Sequence, residues 1–113
     1  MNLEPVVINY LSEKLNMSSV YGEVPEKPES RYVVVDKTGS DVDNRITTST
    51  VAIQSSAPTK AMASELNEEV KTAMDEIITL EVIYDCQLMS DYNFTNTEKK
   101  EHRYQAVFEI THR

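Results

Sequence analysis

The chain has 113 residues, 40% of them apolar and 27% charged, with two Gly and no Trp. That suffices for one domain, residues 1–113, built on one core, and the scarcity of Gly argues against a glycine-rich nucleotide cradle. Nineteen acidic against eleven basic side chains give a formal net charge of −8, which repels phosphate backbones and argues against stable binding to nucleic acid or an anionic membrane.

No apolar run reaches the length of a membrane span, and the N-terminus lacks a basic segment followed by an apolar one. The expectation is a chain made and kept in a cytoplasm. The single Cys86 cannot form an intrachain disulfide, which agrees with a reducing compartment. Two matches to the glycosylation pattern, at Asn16 and Asn93, are read as chance.

Leu3, Val7, Tyr10 and Leu11 recur at helical spacing and predict a first helix over Leu3–Leu15. Val20–Val24 reads as a short strand, ended by the turn-rich stretch around Pro25 and Pro28. Arg31–Asp36 is a β-branched run and a strand. The polar segment Lys37–Asn44, containing Gly39 and lying between two strands, reads as a long, mobile hairpin loop. Arg45–Ser55 is a Thr-, Val- and Ile-rich strand with Val51 and Ile53 on one face and Ile46, Thr48 and Thr50 on the other.

Pro58–Leu80 carries Met62, Leu66, Val70, Ala73 and Ile77 at steps of three and four, so it predicts one long amphipathic helix. Pro58 suits its first turn, and Ser56 or Thr59 can cap it. Val82–Tyr92 then alternates, with Val82, Tyr84, Cys86, Leu88 and Tyr92 on one side and Asp85, Gln87 and Asp91 on the other. A polar loop, Asn93–Lys100, leads to the last strand, Glu101–His112, where Tyr104, Ala106, Phe108 and Ile110 face away from Arg103, Gln105, Glu109 and Thr111.

The order is helix, three strands, helix, two strands, which predicts an α+β two-layer sandwich. Its mainly antiparallel sheet of about five strands carries both helices on one face. An all-antiparallel arrangement gives the spatial order 1-2-3-5-4. The second and third strands place apolar residues on both faces, so an oligomer is expected to bury what the helices leave open.

No catalytic, cofactor-binding or metal-ligating constellation stands out. Cys86 sits mid-strand on an apolar face, as an unreactive buried thiol does. His102 and His112 share a face but lie too far apart along an extended strand to ligate one metal, and read as edge or surface residues. Asp36, Asp41, Asp43 and Asn44 fail the EF-hand spacing. Glu65, Glu68, Glu69 and Asp75 lie on the solvent side of the long helix, and the basic cluster Lys99, Lys100 and Arg103 is interrupted by Glu98 and Glu101.

Three stretches in fixed order carry a likeness. VPEKPESRYVVVDKTGS gives a Pro-containing lead, a hydrophobic strand and a Thr-Gly turn. TTSTVAIQSSAPTKAMASELNEEVKTAM gives a strand ending in Ile-Gln and an Ala-containing helix. DYNFTNTEKKEHRYQAVFEITHR gives an Asp-headed loop and an Arg-Tyr-Gln strand. In this order and spacing the chain resembles the tail terminator (tail completion, minor tail component) proteins of siphophage-type long-tailed bacteriophages.

The resemblance implies a structural, non-enzymatic α+β subunit of the virion tail, assembled in the host cytoplasm as a homo-hexameric ring on the last tier of tail-tube protein. The ring stops tube growth and presents a surface to head-completion (connector) proteins, and DNA later passes through its lumen without specific binding. The acidic balance suits such a lumen. The segment Thr38, Gly39, Ser40, Asp41, Val42, Asp43 and Asn44 is the candidate assembly or lumen loop, and shortening it is expected to leave the fold intact. A head–tail joining protein of the same neck, or a small ligand-binding or regulatory α+β module, are the alternatives.

Overall fold

The computed structural model describes all 113 residues. In chain order the elements are α1 (Leu3–Lys14), β1 (Val20–Tyr21), β2 (Tyr32–Asp43), β3 (Ile46–Ala57), α2 (Lys60–Asp75), a 3-10 turn (Ile77–Thr79), β4 (Ile83–Asn93) and β5 (His102–His112). They form an α+β fold in which one five-stranded sheet runs β1-β2-β3-β5-β4, the expected spatial order. All neighbouring strands are antiparallel except β1, which pairs parallel to β2 through Val20–Val33 and Tyr21–Val34. The all-antiparallel expectation fails there because Gly22–Arg31, with its two prolines, cannot make a tight hairpin. It carries the chain back along the sheet edge, so β2 starts in the same direction. Ser19 fixes the return: its Oγ donates to the Arg31 carbonyl (2.8 Å) and its carbonyl accepts from Val33 N–H (2.9 Å).

The core lies between one sheet face and the two helices. Val33, Val35, Val51, Ile53, Ala106, Phe108 and Ile110 line that inner face. Leu3, Val7, Tyr10 and Leu11 of α1, and Leu66, Val70, Ala73 and Met74 of α2, close over it. Each large aliphatic side chain so buried stabilises the fold by roughly 1.5–3 kcal/mol. The Tyr10 hydroxyl donates to the Ala73 carbonyl (2.6 Å) and ties the helices together.

The long helix is shorter than its periodicity suggests. Thr59 is the N-cap, its hydroxyl accepting from Met62 N–H (3.2 Å), so Pro58 lies outside the helix rather than in its first turn. Regular helix ends at Asp75, and the β-branched run Ile77-Ile78-Thr79 tightens into the 3-10 turn. Ala63, not Met62, belongs to the buried stripe. At 100° per residue Met62 falls beyond the edge of a face centred between Leu66 and Met74.

The largest difference is at Lys37–Asn44. It is not a loop: β2 continues through Asp43 and pairs with β3 down to Asp43–Ile46, leaving a two-residue turn, Asn44–Arg45. Both turn residues have positive φ (52° and 70°), as a type I′ hairpin turn requires. Gly, Ser and Asp are poor strand formers on their own, but the Thr-rich start of β3 supplies a ladder that overrides them. Thr38 is absorbed as a bulge between Lys37 and Gly39.

Two further bulges, at Tyr84 and Met89, reset the alternation of β4. Ile83, Cys86, Leu88 and Asp91 share the inner face with their β5 partners His112, Ile110, Phe108 and Ala106. Tyr84 therefore leaves the apolar side assigned to it, and Tyr92 and Asp91 exchange faces. His112 is not a surface residue: it is 2% exposed, with Nε2 2.8 Å from Ser49 Oγ.

Candidate assembly surface

The sheet face away from the helices carries no second layer. Its cross-strand rows are mostly polar: Gly39–Thr50–Glu109–Gln87, Asp41–Thr48–Thr111–Asp85 and Val34–Gln54–Gln105–Tyr92. Gln54 Nε2 donates to Gln105 Oε1 (2.9 Å), and Gln105 Nε2 to the Tyr92 hydroxyl, so this last row is a hydrogen-bonded ladder across three strands. Of the apolar residues that β2 and β3 place on this face, Val34 and Ala52 are nearly shielded within the single chain, while Ile46 stays exposed. Exposed apolar side chains also lie along the sheet edges, at Val42 (66% exposed), Leu88 (48%) and Met89 (57%).

Acidic groups gather at one end of the open face. Asp41, Asp43 and Glu109 line a shallow groove with Thr48 and Thr50, and Asp85 lies across the sheet in the Asp41 row. Thr38, Gly39, Ser40, Asp41, Val42 and Asp43, read as a loop, are thus strand residues at a sheet edge, and Asn44 opens the turn. Removing them would take away the β2 partner of Ile46–Thr50, so shortening this segment is a test of folding and not of assembly alone.

Both sheet edges are open over part of their length. β4 pairs only with β5. On the other side β1 covers β2 only at Val33 and Val34, and Glu4 of α1 accepts the Lys37 N–H (2.8 Å), which leaves Gly39–Asp43 uncovered. Unpaired edges of this kind recruit another strand unless something blunts them.

Beside the β4 edge, on the inner side, Lys71, Thr72, Met74, Cys86, Leu88 and Phe108 line an open groove of about 380 Å³ between α2 and β4. At its upper rim Lys71 Nζ binds Asp91 Oδ2 (2.6 Å) and Glu68 Oε1 (2.8 Å), and Asn67 Nδ2 donates to Asp91 Oδ1 (2.7 Å). Burial raises the Asp91 carboxyl, but the bonds from Lys71 and Asn67 outweigh it and hold the group below its ordinary 3.8. Asp91→Ala strands the buried Asn67 amide nitrogen and is expected to cost about 1–3 kcal/mol by urea unfolding at pH 7. A depressed folded value means that the carboxylate's contribution is complete above the unfolded value and is lost as pH falls through the folded one. Stability of the native chain should therefore fall below about pH 4, and more steeply than in Asp91→Asn. Equal slopes would show that the bonds of Asp91 to Lys71 and Asn67 contribute nothing.

The residues weighed for chemistry do not converge. No three His, Cys, Asp or Glu side chains come together as a metal site would require. His102 and His112 stand at opposite ends of β5. Glu65, Glu68, Glu69 and Asp75 lie on the exposed side of α2, where Glu69 pairs with Arg31 (2.7 Å). Lys99 and Lys100 stay in the exposed β4–β5 turn, while Arg103 lies over the Phe94 ring and donates through Nε to the Phe94 carbonyl (2.8 Å). No helix is long and apolar enough to cross a membrane.

The order 1-2-3-5-4 already puts β1 and β4 at the sheet edges; it does not show that β1 is too short to cover β2 beyond Val34. The nearest signal was Asn44 just before a Thr-rich strand, as a tight hairpin turn has. Comparison with known proteins adds no relative: neither a family model nor a curated sequence matches the chain.

Proposed function

We propose that the chain is a structural subunit of a long-tailed phage, which caps the tail tube as a ring and offers a docking surface for head joining. The observation that carries this reading is a single sheet with one uncovered, polar face and two partly open edges. Such a subunit can be tiled side by side, and its open faces then form a continuous wall. The acidic end of that face, with Asp41, Asp43, Asp85 and Glu109, suits a wall past which DNA slides without adhering. Support also comes from the ordered likeness of three sequence stretches to tail terminator proteins.

The test uses tail tubes grown without their own terminator. The purified chain is expected to co-sediment with them, to appear at one tube end by gold labelling, and to hold tube length constant on further addition of tube protein. Labelling only on the head side of the neck would move the assignment to a head–tail joining protein. No association with tubes or heads would end the reading.

A further inference from the structure

We infer that copies of this chain join head to tail, with the open β2 edge of one copy adding to the open β4 edge of the next and its Val42 side chain entering the groove between α2 and β4. This inference rests on the ring reading above and supplies the contact that such a ring would use.

Strand direction comes first. β2 and β5 run the same way, because each is antiparallel to β3, and β4 opposes β5. A second copy set alongside in the same orientation thus offers its β2 antiparallel to β4, the pairing that needs no rotation of the subunit. The open segments are both short. Gly39–Asp43 is regular strand between the Thr38 bulge and the turn, and β4 offers Asp85–Leu88 between its two bulges. Bulges at both limits stop the pairing from spreading along the whole edge.

Side-chain faces then restrict the register. Val42 and Ser40 lie on the inner face, since Ser40 pairs with buried Ser49 and Val42 with Thr47, the partner of His112. Continuing the sheet keeps Val42 on that face, where β4 presents Cys86 and Leu88 at the floor of the groove. Val42 can therefore stand opposite one or the other.

Charge selects between them. Opposite Cys86, Val42 would bring Asp43 against Asp85, two carboxylates on the same face. Opposite Leu88, Asp43 meets Gln87 and the turn residue Arg45 comes beside Asp85, an attractive pair. The second register also covers Val42, the most exposed of the large apolar side chains, with the half-exposed Leu88. A contact of this kind joins two different surfaces, so repetition gives a ring when the rotation between copies closes.

Cysteine trapping tests it. In a Cys86→Ser background, one chain carries Val42→Cys and another Leu88→Cys; both positions are exposed, and unfolding midpoints check each fold. The chains are oxidised singly and mixed, with and without purified tail tubes. The expected result is a disulfide dimer in the mixture, and a ladder of multimers from one chain carrying both substitutions. Adding Arg45→Asp should reduce cross-linking at least tenfold, while Arg45→Lys retains it. Dimers formed by either variant with itself would show a two-fold edge contact and overturn the inference, as would no mixed dimer in either setting. Tube binding without the mixed dimer sinks the contact and leaves the ring reading. The mixed dimer in a chain that ignores tubes keeps the contact and sinks the tail reading.

Discussion

Replacing Phe108 by Ala is expected to lower the unfolding free energy by about 3–5 kcal/mol, the usual cost of deleting a buried aromatic ring. Phe108 is 2% exposed and stands mid-strand in β5, between Val51 of β3 and Leu88 of β4. Its inner neighbours Ala106 and Ile110 are held by the same ladder, so the sheet cannot collapse into the space that the ring leaves. A domain of this size is stable by about 5–15 kcal/mol in all, so the loss is a large part of the total. Urea unfolding followed by circular dichroism should show the midpoint moving down by about 1–3 M. Leu88→Ala, on the same row but half-exposed, should move it far less. Equal small shifts in both would mean that the β5 apolar face does not carry the core.

Cys86 is expected to resist alkylation in the folded chain. Burial under α2 pushes its thiol up to about 12, with Asp85 and Asp75 adding to the rise, from an ordinary 9.0. Only the thiolate reacts, so at pH 8 the reactive fraction falls on the order of a thousandfold against the unfolded chain. Opening of the β4 edge sets the floor of that protection. The measurement is the iodoacetamide rate in buffer and in urea above the unfolding transition. Rates within tenfold of each other would place the thiol in solvent and remove the groove's inner wall. A raised thiol also fits a residue that packs and does not attack.

Several parts of the fold can be read directly from the residues. Leu3, Val7, Tyr10 and Leu11 repeat at helical spacing and are the four buried residues of α1. Ala106, Phe108 and Ile110 alternate and face the core, and Val51 and Ile53 do so beside them. These side chains express a local period that a single strand or helix already has. β4 shows the limit of that logic. Its alternation holds only between bulges, and a bulge depends on what β5 presents opposite Tyr84 and Met89. Ser49 and His112 meet in the interior although each is polar alone, because their hydrogen bond needs two strands already in register.

The segment Thr38–Asn44, expected to be a loop, is strand as far as Asp43 and enters a tight turn at Asn44. Its Gly, Ser and Asp residues carry turn chemistry, and only the ladder with Ile46–Thr50 makes Gly39–Asp43 a strand. From sequence alone came most of the elements, the inward faces of α1, β3 and β5, and a spatial order of strands, since each follows from periodicity and from the reach of short connections. Tertiary structure decided the parallel seat of β1, the length of the β2–β3 hairpin and how much of the β2 edge stays open. Those depend on which backbone groups find a partner across the sheet, a property of pairs of segments that no single segment holds.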